Sequence, residues 1–303
     1  MITRDIARFT GFASTVAADF GPATARAAFL VAPDGFSLAV QSAADNRYMA
    51  AAADFDADRA SAQHRDLHRA LAAVLPTVCF AGNADTPDAV FPNNVFATAP
   101  GRYLVGRMRH PVRQREAARA DIRGFFADTL GYREIDLSTQ LHPCELTGAL
   151  VIDRARGLGY AGLSERCDEA GARLMHDALG LRATLLFDLA PGEYHTNVVL
   201  AVLGGRAVVV CPDGFADAAV VEAIEGLYAP HALRCTSEEH AAFVGNCIAL
   251  SPDHVWMSAA AGRAVSDRSR EALAAAGFAI GTVELDAIEA GGGSLRCCVG
   301  EIF

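Results

Sequence analysis

The chain has 303 residues, 52% of them hydrophobic, with 36 acidic against 26 basic side chains and a formal net charge of -10. A nucleic-acid binder would carry the opposite excess, and every basic residue here is arginine, since the sequence contains no lysine. Schiff-base chemistry, lysine-anchored pyridoxal phosphate and the lysine of a phosphate-binding loop are therefore excluded.

The eight cysteines form no C-x-x-C pair and mostly sit in apolar runs, so they read as reduced core residues without a zinc framework. No apolar run reaches the roughly 20 residues that a membrane span needs, and residues 1–18 lack the compact apolar stretch of a signal peptide. The expectation is a soluble cytoplasmic protein, with residues 1–26 as a loosely attached N-terminal arm and 27–303 as a single domain. Nothing implies a nucleic-acid or membrane partner, and a homo-oligomer stays open.

In chain order, residues 27–32 predict a strand, 58–74 a helix and 78–80 a short strand. One pattern then runs four times: an apolar run, a turn rich in Gly, Pro or Asp, and a second apolar run. It covers 95–106, 149–163, 198–211 and 247–258, and each reads as a β-hairpin. Each hairpin is followed by a predicted helix (111–130, 164–179, 216–227, 266–276) and another short apolar segment. Gly131, Gly180 and Gly277 follow three of these helices, as left-handed stop residues do. A fifth unit assembles from the two ends if residues 296–303 pair beside 27–32. The units would then close into a ring and leave no sheet edge open.

Five polar residues precede the hairpins: Asn94, Glu145, His195, Asn246 and Cys297, at steps of 51, 50, 51 and 51 residues. The near-constant step predicts equivalent points of five units converging on one pocket. A cysteine, a histidine and a carboxylate there are a complement for nucleophilic catalysis: the thiolate attacks, the histidine moves protons, and the glutamate orients. The glycine run 291–293 before the cysteine permits close approach to a ligand.

Gly-Gly-Gly-Ser-Leu-Arg-Cys297, Glu145-Leu-Thr-Gly followed by Gly162-Leu-Ser-Glu-Arg166, and Tyr194-His195-Thr-Asn197 together resemble the guanidine-modifying superfamily. Its members include arginine deiminases, dimethylarginine hydrolases, amidinotransferases and succinylarginine dihydrolases. With Phe91-Pro-Asn-Asn94, the strings are most similar to bacterial amidinotransferase-domain hydrolases of citrulline use. The resemblance spans about residues 27 to 303 and implies an α/β fold, the five-bladed pseudosymmetric propeller called the pentein fold.

It also implies Cys297 as nucleophile on a guanidinium or ureido carbon, His195 as proton donor and then base for water, and Glu145 as the group that holds the substrate's nitrogens. The intermediate would be a covalent thiouronium or thiocarbamate. The partner implied is a small ureido or guanidino compound, with no metal and no cofactor.

Arginine deiminases resembling this chain have aspartates where Asn94 and Asn197 stand. Neutral amides suit a neutral ureide such as citrulline, whereas succinylarginine dihydrolases share an asparagine near the first position and begin from a guanidinium. An amidinotransferase stays open as well, while a purely binding role would not need the Cys-His-Glu set. Arg166 is the first candidate to clamp a substrate carboxylate, with Arg109 as substitute. Asn246 and Asn93 join the substrate-binding set, and Asn46 and Asp34 are candidates for the pocket mouth. Cys298, read as lying in a strand, would face away and pack. His64 and His68, four apart on a helix, read as a solvated face.

Overall fold

The computed structural model describes residues 1–50 and 55–303. It is an α/β fold of five mixed sheets, each built to one plan: an antiparallel pair, a helical crossover, and a third strand parallel to the second. Phe96–Ala99, Arg102–Val105 and Arg133–Asp136 form the first complete set in chain order. Leu150–Asp153, Leu158–Leu163 and Ala183–Asp188 form the next. Leu200–Leu203, Ala207–Val210 and Ala232–Arg234 follow, and then Ile248–Ala249, His254–Ser258 and Ala279–Val283.

The fifth sheet joins the two ends as expected. Gly300–Ile302 pairs antiparallel with Ala27–Val31, Gly300 opposite Phe29, and Ala27–Val31 runs parallel to Thr77–Phe80. The carboxyl-terminal strand starts later than the sequence suggests, because Leu295–Cys298 is a helical turn.

Most crossover helices match their sequence signals. Glu169–Leu179 is capped by Asp168, whose side chain accepts from Gly171 N, and is stopped by Gly180 at φ +65°. Asp267–Ala275 is capped by Ser266. The helix expected over 111–130 is instead broken into short pieces. Pro111 opens Pro111–Gln114, Arg119 turns to an extended conformation at φ -62°, ψ 96°, and Ala120–Gly124 begins afresh. Buried Arg113 and Glu116 lie in this interrupted stretch.

The amino-terminal segment does not lie loose. Ile2–Thr3 adds a fourth strand beside Ala183–Asp188, and Ile6–Ala13 is a helix capped by Asp5. Phe9 is fully buried, edge-on to Tyr160 with ring centroids 5.6 Å apart. Burial of one such ring stabilises by about 2 kcal/mol. His64 likewise departs from the solvated-face reading: it is 2% exposed, and burial pushes its pKa down to about 4, so it is a neutral core residue. Among the described residues no His, Cys, Asp or Glu cluster is arranged to hold a metal ion. No described helix is long and apolar enough to cross a membrane.

Candidate active site

The first strand of four sheets is entered through one tight turn: Pro92–Asn94, Leu146–Ala149, Thr196–Val199 and Leu295–Cys298. The Ile248–Ala249 strand is entered through a turn in which Asn246 N donates to Phe243 O at 2.9 Å. Two non-glycine residues in these turns have positive φ, Leu146 at 28° and Phe243 at 64°. Strain of this kind persists where surrounding structure over-determines the backbone. It flanks Glu145 in one turn and Asn246 in the other.

The 51-residue step is not strict equivalence. Counted back from the first strand residue, Glu145 and His195 stand five before, Cys297 three before, and Asn94 and Asn246 two before. Asn197, also three before its strand, is the positional counterpart of Cys297. Three levels of the same turn thus supply the site, and convergence arises because the turns pack toward the same point.

Cys297 is 1% exposed, with Sγ 3.4 Å from Asn246 Nδ2 and 3.8 Å from Asn197 Oδ1. Behind it, a methyl on Gly293 would stand 3.3 Å from Sγ and 3.1 Å from Phe91, while Gly292 adopts φ +78°. The glycine run is required by that close approach. Burial raises the Cys297 thiol pKa, with the Asn246 amide opposing, so the resting residue is a thiol.

His195 and Glu145 are both fully buried, with His195 Nε2 2.8 Å from Glu145 Oε2. Burial alone would raise Glu145, but the Arg166 charge and the His195 hydrogen bond hold it well below the usual carboxylate range. Burial lowers His195, against the pull of Glu145. An ionised carboxylate only accepts, so the neutral imidazole donates from Nε2 and keeps its lone pair on Nδ1. Nδ1 has no partner among the described residues. It borders Gly148, where a methyl would lie 2.9 Å from Nδ1 and 2.5 Å from Asn94 Oδ1.

Asn94 Oδ1, Asn197 Nδ2, Asn246 Oδ1 and both amide atoms of Asn93 are also buried without a partner among the described residues. Buried polar groups normally pair. An unfilled set gathered at one thiol and one imidazole is hydrogen-bonding capacity held for a ligand.

A narrow cavity beside Cys297 is lined by Asn94, Arg166, Asn46, Asp88, Arg113 and Tyr194, among others. Asn46 is thus placed there as expected. Asp34 is not: its carboxylate caps Gly82 N at 3.2 Å in a separate turn. Arg166 reaches the site but is occupied, donating to Asp45, to Ser42 O and to Glu145. Cys298 is buried, but in the helical turn and not in a strand; its thiol donates to Ser294 O at 3.6 Å.

Asp88 escaped sequence reasoning. It is 2% exposed, its Oδ2 accepts from Ser42 Oγ at 2.5 Å, and its Oδ1 has no partner among the described residues. The signal lay one step upstream of Phe91-Pro-Asn-Asn, in Pro87-Asp88-Ala-Val. Arg113, bound to Glu116 at 2.8 and 2.9 Å, underlies the same cavity, and burial pushes Glu116 up to about 7 in spite of that partner.

A family model described as N,N dimethylarginine dimethylhydrolase, eukaryotic, matches residues 32–303. The chain belongs to this family. It is 30% identical over 258 residues to the N(G),N(G)-dimethylarginine dimethylaminohydrolase of Mycobacterium tuberculosis, covering 85% of this chain and 80% of that protein. Among solved structures, the N-terminal domain of ArgZ, an arginine dihydrolase of cyanobacteria, superposes with a TM-score of 0.79 at 21% identity, over 91% of this chain and 97% of that one.

A dimethylarginine dimethylaminohydrolase in adduct with S-methyl-L-thiocitrulline superposes with a TM-score of 0.71 at 17% identity, over 92% and 100%. At such identities these likenesses establish the fold alone. The superfamily read from the motifs is borne out, and the matching family within it is the dimethylarginine hydrolase one.

Proposed function

We propose that this family member is a cysteine-dependent hydrolase of a guanidino or ureido compound, with Cys297 as nucleophile, His195 as acid and base, and Glu145 as the group that fixes the imidazole. The observation that carries the reading is the burial of Cys297, His195 and Glu145 from three sheets around unpartnered polar atoms. His195 takes the Cys297 proton as substrate binds, and the thiolate adds to the central carbon. The leaving amine or ammonia departs with the proton from His195. A covalent thiouronium, or thiocarbamate for a ureide, remains. His195 then deprotonates water, which adds to that carbon, and the C–S bond breaks to return the thiolate.

The unpartnered Asp88 oxygen supports a guanidinium N–H, since a carboxylate only accepts. The neutral amides of Asn94 and Asn197 favour a second reading, a ureide such as citrulline, whose carbonyl needs a donor and whose N–H groups need an acceptor. Ammonia and amine release from arginine, citrulline, N-succinylarginine, agmatine and methylated arginines tests both. Turnover of cationic compounds alone overturns the amide argument. Transfer to glycine in place of water would mark an amidinotransferase.

The same reading makes residues 27–303 one domain and the five sheets the blades of a closed propeller. Links between neighbouring sheets support this: Thr98 Oγ1 donates to Glu301 O at 2.8 Å, and Arg154 Nη1, from the hairpin turn after Leu150–Asp153, donates to Thr98 O at 3.0 Å.

A further inference from the structure

A second cavity, of about 40 Å³, shares no lining residue with the narrow one beside Cys297. Leu150, Leu200 and Ile248, each the opening residue of its sheet's first strand, give it an apolar wall, and Glu301 of Gly300–Ile302 borders it from a fourth sheet. A cavity of that volume holds about three water-sized groups. It is too small for an arginine-sized molecule.

The charges around it do not cancel. Three charged side chains line it: Arg154, Arg296 and Glu301. Arg296 takes the carboxylate, with Nη2 donating to Glu301 Oε2 at 2.9 Å and Nη1 to Val299 O at 2.9 Å. Arg154 is left over. Among the described residues its one hydrogen bond runs from Nη1 to Thr98 O at 3.0 Å, and its guanidinium carbon lies 4.2 Å from the Phe303 ring centroid.

Other arginines withdrawn from water in this molecule are matched: Arg113 by Glu116, Arg156 by Asp153, Arg166 by Asp45 and Glu145. Arg154 has no such carboxylate, and burial pushes its pKa down to about 10, with Arg296 acting the same way and Glu301 opposing. It is still a cation at neutral pH, and its charge is held at a cost. An anion in the cavity would offset that cost and accept the charge-assisted hydrogen bonds that Nε and Nη2 do not spend on protein.

We propose that this cavity is a binding site for a monovalent inorganic anion of chloride's size, held by Arg154 between the sheets and outside the Cys297 cavity.

Halide exchange tests it. Wild-type protein in gluconate buffer should gain thermal stability saturably as chloride replaces gluconate at constant ionic strength, its midpoint rising by about 3 °C or more. Phosphate, too large for the space, should give no such gain. A crystal grown in bromide should show an anomalous peak beside Arg154. Arg154→Met, which keeps an apolar stem and removes the charge, should lose both the chloride response and the peak.

No saturable rise in wild type, or no bromide beside Arg154, overturns the proposal. So does an equal rise in a folded Arg154→Met protein, and so does a phosphate response that matches chloride's, which marks a general salt effect. If Arg154→Met fails to fold, the wild-type titration and peak decide. None of these readouts uses turnover, so they stand or fall apart from the hydrolase reading.

Discussion

Two buried polar clusters in this molecule are built on opposite terms. Around Asp153, which is fully buried at the turn of its hairpin, both carboxylate oxygens are used: Oδ1 accepts from Ala155 N and Arg156 N, and Oδ2 from Arg156 Nε at 2.6 Å and Tyr228 OH at 2.9 Å. Tyr160 and Tyr228 hydroxyls meet at 3.1 Å, and Arg156 lies over the Tyr228 ring at 4.5 Å. Around Cys297, by contrast, Asn93, Asn94, His195, Asn197 and Asn246 each keep a buried atom without a partner among the described residues. The first cluster joins a hairpin to the Ala218–Tyr228 helix and pairs both Asp153 oxygens, leaving Arg156 Nη2 as its one atom without a partner among the described residues. The second leaves its bonding capacity open, and an open polar cluster weakens the fold unless something binds.

Substitutions should therefore separate activity from stability according to the cluster they touch. Cys297→Ala should lower turnover by at least about 10⁴-fold while the thermal midpoint moves by no more than about 2 °C, as steady-state kinetics and calorimetry would show. A large loss of stability in that variant would blur the contrast. Asp153→Ala should do the reverse, removing about 3 kcal/mol of stability in denaturant titration while kcat/KM of the folded fraction stays near wild type.

Gly148→Ala probes the boundary of the open cluster. Its methyl would lie 2.5 Å from Asn94 Oδ1 and 2.8 Å from His195 Cε1. Displacement of either group should cost about 100-fold in kcat/KM, with intact far-ultraviolet dichroism.

The His195 pKa supplies a pH test. Its folded value lies below the ordinary 6.5 because burial disfavours the charged ring. Between the folded and unfolded values the unfolded chain binds more protons, so stability falls as pH drops below 6.5. Wild type should lose stability in that window more steeply than His195→Gln, and parallel curves would remove the buried neutral imidazole from the account. The smallest effect belongs to Cys298→Ala: about 1 kcal/mol of packing and turnover within about threefold of wild type.

How much of this could be read in the sequence depends on whether a residue belongs to the repeat. Hairpins, crossover helices and the pairing of 27–31 with the carboxyl-terminal strand were legible because apolar periodicity and turn residues recur. Glu145, His195 and Cys297 stood at the same entries and were found together. The helical turns at those entries were not legible, since four residues leave no periodicity, and the supposed strand position of Cys298 failed for that reason. Ser42 sits in the four-residue helix Val40–Ala43, and Asp45 and Asp88 in turns, all before the first complete set, where no repeat marks them. The occupancy of Arg166 by Asp45 is a contact across 121 residues that composition cannot reveal.

The turn that carries Cys297 leads directly into Gly300–Ile302, the strand that completes the sheet begun by Ala27–Val31. On the ribosome, Asn94, Glu145, His195 and Asn246 emerge first, and the thiol emerges last among them. The same few residues that complete a sheet with a partner some 270 positions away also bring in Cys297, the proposed nucleophile. Such long-range pairing is slow and comes late in folding. Until that pairing forms, the proposed acid–base pair of His195 and Glu145 and the amides beside it stand without the Cys297 thiol among them.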